Sequence, residues 1–155
     1  MTDKTFLGRK DRADFPQLGL ENIDIKIDTG AYTASIHCHH IEEISRDGNR
    51  LIRFRLLDPS HPKYHERVFT SADYREKLVK SSFGTTEKRF LIKTNIVLFG
   101  EELPVELSLT ERGEMKYPVL IGRKLLKGRF IVDVSRLNLS YRQKRKNEKE
   151  SERKR

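Results

Sequence analysis

Residues 25–35 read IKIDTGAYTAS. Ile23, Ile25 and Ile27 alternate with polar neighbours, which is the period of a half-buried strand, and that strand stops at Asp28, Thr29 and Gly30. An aspartate in this place has two uses. Its carboxylate can close an Asx turn, with Gly30 supplying a positive φ, or it can be set at a strand end for chemistry. The tripeptide alone leaves both open.

Outward from this stretch the same alternation recurs. Ile52, Phe54 and Leu56 face one way while Arg53 and Arg55 face the other; Leu103, Val105, Leu107 and Leu109 share one side of a later run. Residues 119–121, 130–134 and 137–141 read as shorter strands. Turn signals separate them at Asp47-Gly48-Asn49, Asp58-Pro59-Ser60, Phe99-Gly100 and Arg112-Gly113. Helical periodicity is scarce, with short candidates at residues 72–80 and 123–126. Many short strands and few helices predict an all-β barrel or sandwich.

The 155 residues fit one domain, and charged residues reach 35%. Of the net charge of +9, residues 142–155 supply +5 through eight Lys/Arg against three Glu, leaving a mildly basic body. That final stretch has no apolar residue, so a domain over 1–141 and a basic disordered tail over 142–155 are expected. A single cysteine, Cys38, rules out an internal disulfide framework and fits a reducing compartment. No apolar run resembles a signal peptide or a membrane span, so the expectation is a cytoplasmic chain without a membrane partner.

A second stretch, YPVLIGRKLL over residues 117–126, runs from an apolar strand into Gly122 and Arg123. A strand ending in glycine can lie tightly against another backbone because no Cβ intervenes. Taken with IKIDTGA, and with the long hairpin of KRFLIKTNIVLFGEELPVELSL between them, this chain resembles the retropepsin family of aspartic peptidases. The resemblance is closest to a bacterial branch often labelled ATP-dependent zinc proteases. It runs from about Leu7 to Tyr141. The label finds no support in the residues, since neither a GxxxxGK[ST] loop nor an HExxH motif is present.

The resemblance implies a closed barrel with one short C-terminal helix, and a peptidase that needs neither cofactor nor metal. Asp28, Thr29 and Gly30 would be its catalytic turn, with Ala31 keeping the site narrow. One Asp-Thr-Gly supplies half of a proton-sharing pair, so the mechanism implies a homodimer with Asp28 from each chain on a two-fold axis. Ser82, Phe83 and Gly84 fall where the family has its flap and would bind substrate, although Phe83 also reads as a core side chain. Gly122 and Arg123 would support the turn. In the family this arginine pairs with an aspartate at a position occupied here by Tyr32, leaving stacking on that ring or another acid as its partner. The branch occurs alongside glutamate-adding ligases, which points to an acidic or polyglutamate peptide as substrate.

Other readings stand beside this one. The same barrel could grip an extended peptide without cutting it. His37 and His39, two apart in the run HCHH, share a strand face and could hold zinc. The tail suits a weak nucleic-acid or ribosome contact.

Overall fold

The computed structural model describes residues 3–80, 83–111 and 116–154. The chain runs through β1 (Thr5–Leu7), β2 (Lys10–Phe15), a single 3-10 turn, β3 (Leu20–Ile27), β4 (Ala34–Arg46), β5 (Asn49–Leu56) and β6 (Val68–Ser71). Then follow β7 (Tyr74–Lys80), β8 (Thr86–Leu98), β9 (Glu101–Thr110), β10 (Val119–Ile121), α1 (Arg123–Leu126), β11 (Phe130–Val132) and α2 (Leu139–Arg153).

The alternation in the sequence is the alternation of burial. Ile23, Ile25 and Ile27 of β3, Ile52, Phe54 and Leu56 of β5, and Leu103, Val105, Leu107 and Leu109 of β9 all join one core. Two-residue turns set the register of its hairpins. Asp47-Gly48 joins β4 to β5 and Phe99-Gly100 joins β8 to β9, each with both residues at positive φ, the twist that matches paired strands.

Strand order follows the path β10-β3-β2-β8-β9-β4, and β4 pairs again with β10. Six strands therefore close on themselves as a ring. β5 and β6 continue outward from β4, and β7 pairs with the first half of β8. The chain is mostly β, as expected. Residues 72–80, read as a possible helix, are instead the strand β7.

The short helix expected after Gly122 is α1. A second helix was not expected: residues 142–153, read as a disordered tail, lie within α2, as do residues 139–141, read as the end of a strand. The cause is distant in sequence. Asp11, on β2, is 1% exposed and its carboxylate accepts from the backbone N–H groups of Ser140 and Tyr141 at 2.9 and 3.0 Å. These are among the N–H groups that a helix start leaves without partners, so Asp11 caps α2 from another element. Burial pushes its carboxyl pKa up, against the pull of those N–H groups. One turn later Lys144 reaches Asp14 at 2.9 Å and Asn22 at 2.7 Å. Among the described residues no helix is long and apolar enough to cross a membrane.

Candidate active site

The Asp28 turn is built by two segments far apart in sequence. β10 lies parallel to β3, with Ile121 opposite Ile27, and the backbone N–H of Asp28 donates to Ile121 O at 2.9 Å. Immediately after β10, α1 begins. Its first N–H groups, from Arg123 and Lys124, donate to the carbonyls of Ala31 and Tyr32 at 2.8 and 2.9 Å. The turn thus satisfies donors that a helix start would otherwise leave open.

Gly122 makes this approach possible. A Cβ there would sit 2.6 Å from Tyr32 O and 2.8 Å from Ala31 O, closer than side-chain carbons come to backbone oxygen. The expectation of a tight backbone contact at this glycine is met, and its partner is the stretch that follows Asp28.

Within the turn, Asp28 Oδ1 accepts from Gly30 N at 3.0 Å and Ala31 N donates to Asp28 O at 3.3 Å. One oxygen therefore closes an Asx turn, and the carboxylate is still left half-exposed at the strand end. Gly30 is not in the left-handed region, contrary to the turn-former reading. A Cβ on it would lie 3.2 Å from Asp28 Oδ1, so its role is to leave the carboxylate uncrowded. Thr29 and Gly30 face solvent and Ala31 is half-buried.

Arg123 settles between its alternatives. Its guanidinium donates to Thr29 O at 2.9 Å and lies 5.9 Å from the centre of the Tyr32 ring. Among the described residues no carboxylate lies within ion-pair distance of it. The arginine holds the turn by its backbone and by a ring in place of an aspartate.

The expected flap is the tip of the hairpin made by β7 and β8, where Lys80 pairs with Thr86. Phe83 is 93% exposed, which answers whether it is a core side chain, and Gly84 takes a positive φ beside it. Ser82 lies outside the described residues.

Sequence reasoning missed Glu106. On β9 it alternates with the core residues Val105 and Leu107, yet its side chain is only 7% exposed. Arg75 at the base of β7 reaches it with two hydrogen bonds of 2.7 and 2.8 Å, and Lys124 of α1 reaches it at 3.0 Å. Bonding to Arg75 first, and then to Lys124, lowers its pKa from 4.5 to about 2. A carboxylate depressed in this way stabilises the fold fully above its ordinary pKa and loses that contribution as pH falls toward the folded value. Native protein should therefore melt at a higher temperature than Glu106→Gln at neutral pH, with the gap closing as pH falls from 4.5 to about 2. A gap independent of pH in thermal melts would show that the ion pairs contribute nothing.

The histidine run is engaged with the loop after β5. His37 is buried and its Nε2 lies 3.0 Å from Asp58 Oδ2. His39 places Nδ1 2.6 Å from Leu57 O and Nε2 3.3 Å from the Tyr64 hydroxyl. His40 sits at positive φ, where the β4–β5 register shifts. Among the described residues no three His, Cys, Asp or Glu side chains gather as a metal cage. Cys38 is fully buried, and burial pushes its thiol pKa up, away from the thiolate a nucleophile needs.

A closed ring of strands with an Asp-Thr-Gly turn at a strand end, fastened by a Gly-Arg segment, is an aspartic-peptidase-like arrangement of the retropepsin class. Residues 6–144 match the family described as retropepsin-like aspartic endopeptidase RimB, and the chain belongs to this RimB-like family. It is 36% identical over 137 residues to a probable alpha-L-glutamate ligase of Parasynechococcus marenigrum, covering 86% of this chain and 28% of that protein. A probable alpha-L-glutamate ligase of Shewanella pealeana is 36% identical over 140 residues, with 87% and 30% covered. The chain thus spans less than a third of the length of these curated relatives. Among solved structures, a Legionella pneumophila protein of unknown function superposes with a TM-score of 0.66 at 25% identity, covering 89% of this chain and 99% of that one.

Proposed function

We propose that this chain is an aspartic endopeptidase that works as a homodimer, with Asp28 of each copy forming one active site. The observation that carries the reading is the fastened, half-exposed Asp28 turn, present once per chain. Two carboxylates brought together cannot both ionise, so the pair holds one proton. The ionised Asp28 takes a proton from water, whose oxygen attacks the peptide carbonyl carbon. The protonated Asp28 gives its proton to the carbonyl oxygen, and collapse of the tetrahedral intermediate returns a proton to the departing amine. Thr29 and Gly30, both exposed, would meet their copies across the axis, and the hairpin bearing Phe83 and Gly84 would close over the substrate.

An acidic peptide, a glutamate chain above all, is the substrate class proposed. The mildly basic body favours it. So does the likeness to part of proteins named glutamate ligases. Hydrolysis of a labelled glutamate-chain peptide, followed over a dilution series beside sedimentation, tests the reading. Specific activity should fall in step with the dimer fraction. Full activity from a strictly monomeric sample would overturn the two-chain site, and a dimer that binds the peptide without ever cutting it would make this chain a peptide-binding module.

A further inference from the structure

α2 sorts its charges by face. Arg142, Arg145, Lys146, Lys149 and Arg153 recur at steps of three and four residues, which places them on one side of the helix. With Tyr141 and Glu150 they line one open hollow on the helix surface. Ser140, Lys144, Asn147 and Ser151 instead line a cleft against β2 and the β8–β9 turn. Arg145 shares Glu148 at 3.1 Å. Among the described residues, Arg142, Lys146, Lys149 and Arg153 have no carboxylate within ion-pair distance.

Such a stripe repels itself, because like charges three and four residues apart destabilise a helix. The fold nevertheless holds it outward, through Asp11 at the helix start and Lys144 on Asp14. From Arg142 to Arg153 the stripe spans about 16 Å at the rise of a helix. It lacks the strand edge to which an extended peptide adds, because the helix backbone is already bonded. What it offers is a row of cations, three of them arginines, whose planar forks suit phosphate. From residue 145 to 154 every residue is exposed, so a flexible single strand can lie along the row without meeting the body.

We propose that the outer face of α2 is a binding surface for single-stranded RNA, engaged through its phosphates and separate from the Asp28 turn. Contact would be largely independent of base sequence.

Fluorescence anisotropy of the full chain with a labelled mixed-sequence RNA of about 20 nucleotides tests this, with a labelled polyglutamate peptide as the second probe. Raising salt from about 50 to about 200 mM should weaken RNA binding roughly a hundredfold, the slope expected for about five phosphates on a single strand. Replacing all five cations by glutamine, a good helix former, should weaken RNA binding at least about tenfold and flatten that slope by about 3. Neutralising Lys4, Arg46, Arg50, Lys116 and Lys127, all exposed elsewhere, should leave the slope within about one unit of native. The double change Arg142→Gln/Lys149→Gln, with circular dichroism to show the helix retained, should give an intermediate loss. The inference is overturned if the stripe variants bind RNA as native protein does, or if the control set loses as much. It is also overturned if the polyglutamate peptide binds more tightly than RNA and depends on the same five residues.

Discussion

Replacing Asp28 by asparagine is expected to lower peptide hydrolysis by at least about a thousandfold, the usual scale for losing acid–base groups, while leaving the fold intact. Asparagine keeps an Oδ1 that can accept the Gly30 N–H, so the Asx turn survives the change. What is lost is the proton that the pair shares. The thermal midpoint should move little, because the side chain is half-exposed and its backbone bond to Ile121 is untouched. Mixing makes the test sharper. When native and Asp28→Asn chains are exchanged to equilibrium in equal amounts, activity should fall to about a quarter of that of the all-native sample, because only native pairs carry two carboxylates. Independent subunits would keep about half. A mixed sample at one half would sink the shared site even if the single variant were dead.

Gly122→Ala is expected to lower stability sharply. Its new methyl carbon would stand 2.6 Å from Tyr32 O and 2.7 Å from Tyr32 C, both backbone atoms with no rotamer to move aside. The stretch cannot retreat without giving up the bonds from Arg123 N and Lys124 N that hold it. Overpacking against backbone costs on the order of 3 kcal/mol, which for a chain of this size lowers the midpoint by roughly 6–12 °C. The same shift would displace Asp28, so hydrolysis should fall with stability. An alanine variant that melts like native protein would show that β10 and the turn are less tightly joined than their geometry implies.

How far the sequence could be read depended on where each residue finds its partner. Strands with one dry face announced themselves, since Ile52, Phe54 and Leu56 must alternate to reach the core. β7 did not: among the described residues it pairs only with β8, Leu78 is 69% exposed, and with residues 75–78 all exposed it carries no period of two. α2 was illegible for a related reason. Nothing apolar follows Tyr141 in it, and its cap is Asp11, 129 positions away from Ser140. The candidate site divides the same way. Asp28, Gly30, Gly122 and Arg123 were visible because their order and neighbours form a pattern along the chain. Glu106 was not, because Arg75 and Lys124 reach it from two other elements.

The placing of β10 also has a consequence in time. β3 and β4 are joined by a few residues, yet the strand that sits between them is made more than eighty residues after Asp28 has been added. A growing chain reaches the ribosome exit with the carboxylate before it has made the strand that fastens the turn. Until Ile121 and Arg123 follow, the Asp28 N–H lacks its acceptor and the Thr29 carbonyl lacks its donor. Contacts that close so long a loop are among the slowest to form. A nascent or truncated chain that stops short of Gly122 therefore contains Asp28 but not the segment that fastens its turn, so the finished geometry arises only after β10 and α1 have been made.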